Sequence, residues 1–294
     1  MAARKSPRNL VMALALAASA VLPASRAEAD PCVQRGMPNP IYAGDPGSPW
    51  AASLMGSGTI GITGTNPRSG NGSLEAWTTG SLFDWSFFRR PATEGAAWGL
   101  LGDINCASFE WWREAPGLGD PTEATWINQT PAFRFLVRDG DTYSQLIWEG
   151  WYNNAGPTAN GQWNFSDLTN QVFWRHYDGG LDYTYGGCTN RSFEGSSTLL
   201  TFSLAGWVEQ CYSASAEIYG IMLGLGSYWP AQYHAFLDNV QLSFGETGFV
   251  VEDNFELPET ATPEPGTLLL LGTGLSSLAG AGYFKRRRRK PADR

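Results

Sequence analysis

The fold class this sequence predicts is all-β, a β-sandwich built from its central region, and three observations predict it. Between Asp30 and Thr262 no long stretch repeats apolar residues at helical spacing. Short aromatic and β-branched runs alternate there with clusters of Gly, Pro, Asn and Asp, the composition of strands and turns. The region is also of a length that all-β sandwiches reach within one domain.

The elements follow in order. Arg4, Lys5 and Arg8 precede the apolar run Leu10–Leu22, Pro23 breaks it, and Ala27-Glu28-Ala29 offers a small-residue cleavage site before Asp30. Residues 1–29 read as a secretory signal peptide, handled by the Sec translocon and signal peptidase. Its 13-residue run is too short to span a bilayer, which needs roughly 20.

Residues 30–256 read as the sandwich. Pro40–Ser48 looks irregular. Gly56-Ser57-Gly58-Thr59-Ile60-Gly61 matches the dinucleotide pattern literally, but Ile62–Pro67 after it cannot start a helix, so a glycine loop between strands is expected. In Trp111-Trp112, strand alternation sends one ring inward and the other outward. Phe133, Phe135 and Val137 share one face, Arg134, Leu136 and Arg138 the other, and Asp139-Gly140-Asp141 turns the chain into a returning strand, Tyr143–Trp151. Ile218–Leu225 is apolar throughout, and its glycines favour a central strand over a helix. Phe236, Asp238, Val240, Leu242 and Phe244 alternate with Leu237, Asn239, Gln241 and Ser243, a strand with two unlike faces.

Residues 257–262 form a stiff polar linker, and residues 263–294 read as a separate unit. Pro263-Glu264-Pro265 and Gly266 lead into Thr267–Phe284, 18 uncharged residues able to cross a bilayer as a transmembrane helix. The bases Lys285, Arg286, Arg287, Arg288, Arg289 and Lys290 hold that end in the cytoplasm as a stop-transfer cluster, which places the sandwich outside the inner membrane.

Charge divides along the same lines. The whole chain carries a net charge of −8, but residues 30–264 hold nine arginines, no lysine and 26 acids, a balance of −17. That excludes a nucleic-acid-binding surface, which needs clustered bases. With two histidines, His176 and His234, a multi-histidine metal site is excluded as well. Cys32, Cys106, Cys188 and Cys211 are an even set bound for an oxidising compartment, with three possible pairings. Cys188 with Cys211 would tie neighbouring segments and leave Cys32 to pin the N-terminal stretch through Cys106.

The catalytic vocabulary is thin. No serine sits in G-x-S-x-G. Glu75, Glu110 and Glu149 are the carboxylates a glycosidase could use, but no E-x-D-x-x-E strand motif joins them, and Arg113 or Arg134 can pair with Glu110. A non-catalytic protein is therefore expected, and glycan recognition suits its aromatics. Trp112, Trp148, Trp151, Trp163 and Trp174 can stack on sugar rings while Asn153, Asn154, Gln162 and Asn164 bond hydroxyls; core packing is the alternative for each ring. No cofactor is expected. A structural calcium at Asp139-Gly140-Asp141 or Asp178–Asp182 is the one candidate, and turn chemistry accounts for both loops without it.

Pro-Glu-Pro, apolar helix and Arg-rich tail together resemble the PEP-CTERM sorting signal of exported bacterial proteins. The resemblance implies an exosortase that reads Pro263, Glu264 and Pro265, removal of the helix, and delivery to the cell surface or exopolysaccharide matrix. Gly70–Leu74, Ser108–Arg113, Leu146–Asn153, Gly161–Asn164, Phe173–Arg175 and Phe236–Val240 also resemble a recurring ectodomain of such proteins, over most of residues 56–244. That resemblance implies a jelly-roll-type sandwich loosely akin to carbohydrate-binding modules. The expected function is thus an exported structural or carbohydrate-binding protein. The alternatives are a secreted glycosidase and an uncleaved type I membrane protein.

Overall fold

The computed structural model describes residue 32 and residues 39–258, apart from 79–83, 94–95, 115–128, 154–160, 178–183, 186–187, 190–200, 227–232 and 246–247. The signal peptide, the sorting triplet, the apolar segment 267–284, the bases 285–290 and the loop Asp178–Asp182 all fall outside that set. No described helix is long and apolar enough to cross a membrane.

The first strands are β1 (Asn39–Tyr42), β2 (Ala51–Met55), β3 (Thr59–Thr63), β4 (Ser73–Trp77), β5 (Trp85–Pro91) and β6 (Gly99–Leu100). Then come β7 (Ile104–Arg113), β8 (Ala132–Asp139), β9 (Thr142–Trp148), β10 (Trp163–Asp167) and β11 (Val172–Tyr177). β12 (Thr184–Tyr185), β13 (Cys188–Thr189) and β14 (Phe202–Ser203) are short, and one helix, α1 (Leu204–Gln210), precedes β15 (Glu217–Leu225), β16 (His234–Phe244) and β17 (Phe249–Glu256).

Two sheets make the sandwich. In the first, β16 is flanked by β7 and β10 on one side and, end to end along the other, by β4–β3 and β17–β1. The second runs β14-β11-β9-β8-β15-β5-β2, with β6 also on β15. The core lies between them because every long strand turns one apolar set inward. Phe109 of β7 meets Phe133 of β8 at 5.6 Å and Trp148 of β9 at 5.5 Å, and all three rings are buried. Helix α1 starts at Ser203, whose hydroxyl accepts from the Gly206 N–H at 3.2 Å. Its Trp207 is buried and donates to the Phe173 carbonyl at 2.9 Å.

The hairpin at Gly140 joins β8 and β9 with the expected faces: Phe133, Phe135 and Val137 are in the core. The returning strand stops at Trp148, and Gly150–Asn153 forms a 3-10 turn instead. β15 lies between β8 and β5, a central strand as its apolar sequence requires. The glycine run at Gly56 links β2 in one sheet to β3 in the other. Pro40–Ser48 is not wholly irregular, because β1 pairs in parallel with β17 from Asn39 to Tyr42.

β16 departs from simple alternation. Ala235 and Leu237 face the core, then so do Val240, Leu242 and Phe244, because a bulge between Asp238 and Gln241 shifts the register by one. Asn239 sits at that bulge with φ 49°, the left-handed region that asparagine tolerates better than most residues. Phe236 and Asp238 therefore lie on the outer face rather than with Val240.

Cys32 is bonded to Cys106, which ties the N-terminal stretch to β7. Cys211 is also disulfide-bonded. The side chain of Cys188, its expected partner, lies outside the described set.

Candidate functional site

Because alternation commits half of each strand to the core, the outer half of the second sheet is what remains to present a surface. Its strands are in register across five positions: Trp174 (β11), Ile147 (β9), Arg134 (β8), Met222 (β15) and Arg89 (β5) are successive cross-strand partners. At about 4.8 Å per strand the row is roughly 19 Å long. Around it Phe87, Ala132, Leu136, Ile147 and Met222 form a second apolar cluster, separate from the main core and itself buried along with Arg134, so the surface here is presented by the partly exposed Trp85, Trp174 and Tyr219 packed on it.

Polar groups converge on this apolar floor. The Arg134 guanidinium lies 3.9 Å from the centre of the Phe87 ring, and its Nη1 donates to Gln145 Oε1 at 2.8 Å. Beside it, burial pushes the Glu149 carboxyl up to about 7, although the Arg134 charge draws it part of the way back. Burial, with the Glu149 charge, also pushes the Tyr152 hydroxyl up to about 12. The 3-10 turn holds these groups in place. Asn153 accepts from the Val172 N–H at 2.8 Å and donates to the Glu149 carbonyl at 3.0 Å, while the Gly150 N–H donates to Thr130 Oγ1 at 2.8 Å. Tyr152 is thereby set edge-on to Trp174 at 6.4 Å. A face of partly exposed rings around fixed donors and acceptors can stack a sugar ring and bond its hydroxyls.

The five tryptophans expected to bind glycan separate into three places. Trp148 is only 3% exposed and belongs to the core, because its position in β9 points it inward at Phe109; it is not a ligand platform. Trp174 lies in the row just described. Trp151 follows in the 3-10 turn, 44% exposed. Trp112 and Trp163 are on the opposite side of the molecule, facing each other across β7 and β10. Two polar expectations also change: the amide of Asn153 is used within the turn, and that of Asn164 donates to the Gln162 carbonyl at 3.0 Å.

Neither expected carboxylate partner holds for Glu110. Arg68, 42 residues earlier, takes it through Nε and Nη2, each at 3.0 Å, and Asn239 donates to it as well. Glu110 thus anchors the Arg68 loop. Asp139 is likewise engaged, accepting from the Ser213 N–H at 2.8 Å and hydroxyl at 2.5 Å. Among the described residues no group of acids, histidines or cysteines is arranged to hold a metal ion. The residues that sequence reasoning missed are Arg134, Gln145, Trp85 and Tyr219. The outward phase of Arg134 within an apolar strand was the available signal.

Residues 261–290 match the PEP-CTERM protein-sorting motif. No curated protein matches the chain. Among solved structures, the chain is similar to the family 11 carbohydrate-binding module of the cellulosomal cellulase Lic26A-Cel5E of Clostridium thermocellum, at 13% identity and TM-score 0.34, covering 67% of this chain and 88% of that one. It is similar also to the CBM22-1 xylan-binding domain of Paenibacillus barcinonensis Xyn10C, at 13% identity and TM-score 0.32, covering 67% and 88%. A third is the β-1,2-glucanase of Parabacteroides distasonis, at 11% identity and TM-score 0.35, covering 67% of this chain and 23% of that one.

Proposed function

We propose that this is an exported protein, sorted through its PEP-CTERM motif by an exosortase, that binds glycan at the cell surface or in the exopolysaccharide matrix without cleaving it. The observation that carries the binding role is the outer row from Trp174 to Arg89, with Arg134 fixed between Phe87 and Gln145. Core-quality order in a row that faces away from the core suits a preorganised ligand face.

The test is retention of the secreted protein and its Trp174→Ala variant on a glycan array. Loss of a neutral-glycan signal in the variant, with folding intact by circular dichroism, is the expected result. A protein that binds no glycan leaves a purely structural role. Export has its own test: mass spectrometry of the mature C-terminus, where persistence of residues 266–294 means an uncleaved membrane anchor.

Hydrolysis is the second reading, and Glu149 favours it, since a carboxyl at about 7 suits a general acid. Glycosidases use a second carboxylate within about 10 Å. Glu217, an acid that register places on this sheet, lies opposite Arg138, five residues along β8 from Phe133, which pairs with Trp148 next to Glu149, and so is roughly 17 Å along the strands from it. Reducing-end release that Glu149→Gln abolishes would establish the enzyme.

A further inference from the structure

The first sheet has an outer face of its own, on the side of the sandwich opposite the Trp174 row. Register again lines up a single row: Trp163 (β10), Trp112 (β7), Phe236 (β16), Glu75 (β4) and Gly61 (β3) are successive cross-strand partners. Four strand steps make it roughly 19 Å long. The aromatic end lies at the sheet edge, where Phe165, two residues along β10 from Trp163, is 46% exposed. With the partly exposed Trp163 and Trp112 on the same face, it extends one apolar patch along an edge strand.

The row is also braced. Phe236 is itself buried, meeting Trp112 edge-on at 5.2 Å and His234 at 4.6 Å, so it supports the row without facing solvent, and His234 lies 4.5 Å from Trp77. Both imidazole nitrogens are held, Nε2 by Glu75 at 2.8 Å and Nδ1 by Glu114 at 2.7 Å. At the far end the platform opens. A side chain at Gly61 would meet nothing within 4 Å, so beside the Glu75 carboxylate there is space where the rings stop. Burial pushes Glu75 up, but hydrogen bonds from Thr63, Thr65 and His234 outweigh it and hold the carboxyl below its ordinary value. It is therefore an anionic acceptor at neutral pH.

We propose that this row is a second glycan platform, which takes a neutral polysaccharide chain lying across the strands. Rings at the Trp163 end stack on pyranose faces, and Glu75 accepts from hydroxyls at the other end. Charge selects the occupant. Glu75 and the exposed Glu114 flank the row and stay net negative even with a positive His234 shared between them, while the guanidinium of Arg68 is matched by Glu110, so the face repels uronate and phosphate polymers. The two rows occupy opposite outer faces of one sandwich, so a single molecule would hold two chains and cross-link them. That cross-linking rests on the glycan reading of the Trp174 face; the second platform does not.

The experiment compares the secreted protein with Trp174→Ala, Trp163→Ala/Phe165→Ala, and all three changes together, on columns of immobilised neutral glucan, chitosan and alginate. Trp163→Phe, which keeps a ring, controls for folding. Expected are retention on neutral glucan that falls roughly tenfold when Trp163→Ala/Phe165→Ala is added to Trp174→Ala, and near-normal retention of Trp163→Phe. Bridging of soluble glucan, read as turbidity, is lost when either face alone is altered. The second platform is overturned if Trp174→Ala alone removes all glucan retention, if the Trp163 and Phe165 changes do nothing in that background, or if retention occurs only on chitosan or only on alginate. If Trp174→Ala has no effect while the Trp163 and Phe165 changes abolish retention, this platform stands and the Trp174 face fails.

Discussion

The indole N–H of Trp50 donates to the Asp253 carboxylate at 2.7 Å, in the interior of the sandwich. Trp50 stacks on Phe88 of the second sheet and meets Phe255 of the first edge-on, and Arg90 of the second sheet pairs with the same carboxylate. One acid in β17 is thus bonded from both the core and the opposite sheet. Trp50→Phe keeps the stack and removes the donor, leaving a buried carboxylate short of one partner. The expected cost is about 1–3 kcal/mol, read as a lower urea midpoint with an unchanged slope. A midpoint equal to that of the natural protein would show that Arg90 alone satisfies Asp253.

Gly224 in β15 has φ 147°, and a Cβ built on it would lie 2.0 Å from the Ser86 carbonyl oxygen of the neighbouring strand. Backbone, unlike a side-chain tip, cannot swing aside. Gly224→Ala should force β15 away from β5 and yield insoluble or unfolded protein. Soluble variant with native near-ultraviolet circular dichroism would mean that the two strands separate at little cost.

What the sequence discloses depends on how far the deciding partner lies along the chain. Phe133, Phe135 and Val137 are legible because one buried face writes a period of two into consecutive residues. The same local logic separates Trp111 from Trp112. It does not tell Trp148 from Trp174: each sits in an aromatic strand, and only pairing with β8 and β9 sends one ring to the core and the other outside. The β16 bulge is illegible for a related reason. Asp238 and Val240 keep the alternating pattern in sequence, while Asn239 turns through a left-handed conformation and reverses the phase. Arg68 and Glu110 come together only after the fold has formed, so nearer arginines looked the better partners.

The bond between Cys32 and Cys106 closes a loop of 74 residues. In the chain-entropy account a loop of that size restricts the unfolded state by about 4 kcal/mol. Replacing both cysteines by serine should lower stability by that order, with the strand signature in circular dichroism retained. Equal urea midpoints for the double variant and the natural protein would show that the bond constrains little.

Asp238 and Glu149 are the two described carboxyls that burial raises furthest, and Asp253 is raised in the same direction, so together they make stability depend on pH. Burial pushes Asp238 up to about 7, the N–H groups of Phe255, Asn239 and Ser69 pull it back less, and the Glu256 charge pushes it further. Glu149 stands at about 7 for the same first reason. In the unfolded chain both titrate near 4. Between pH 4 and 7 the native state therefore holds protons that the unfolded state has released, and stability falls as pH rises through that window. Each group's contribution is complete below about 4 and lost above about 7, at a cost of a few kcal/mol in the case of Asp238. The midpoint of urea unfolding should consequently be higher at pH 5 than at pH 8. Asp238→Asn can keep one oxygen for the Asn239 and Phe255 N–H groups, which both bond Oδ1 at 2.9 and 3.0 Å, while carrying no charge. It should raise the midpoint at pH 8 and flatten the profile, and Glu149→Gln should do so to a smaller degree. A variant profile that runs parallel to the natural one across pH 5–8 would show that Asp238 ionises at its ordinary value in the fold.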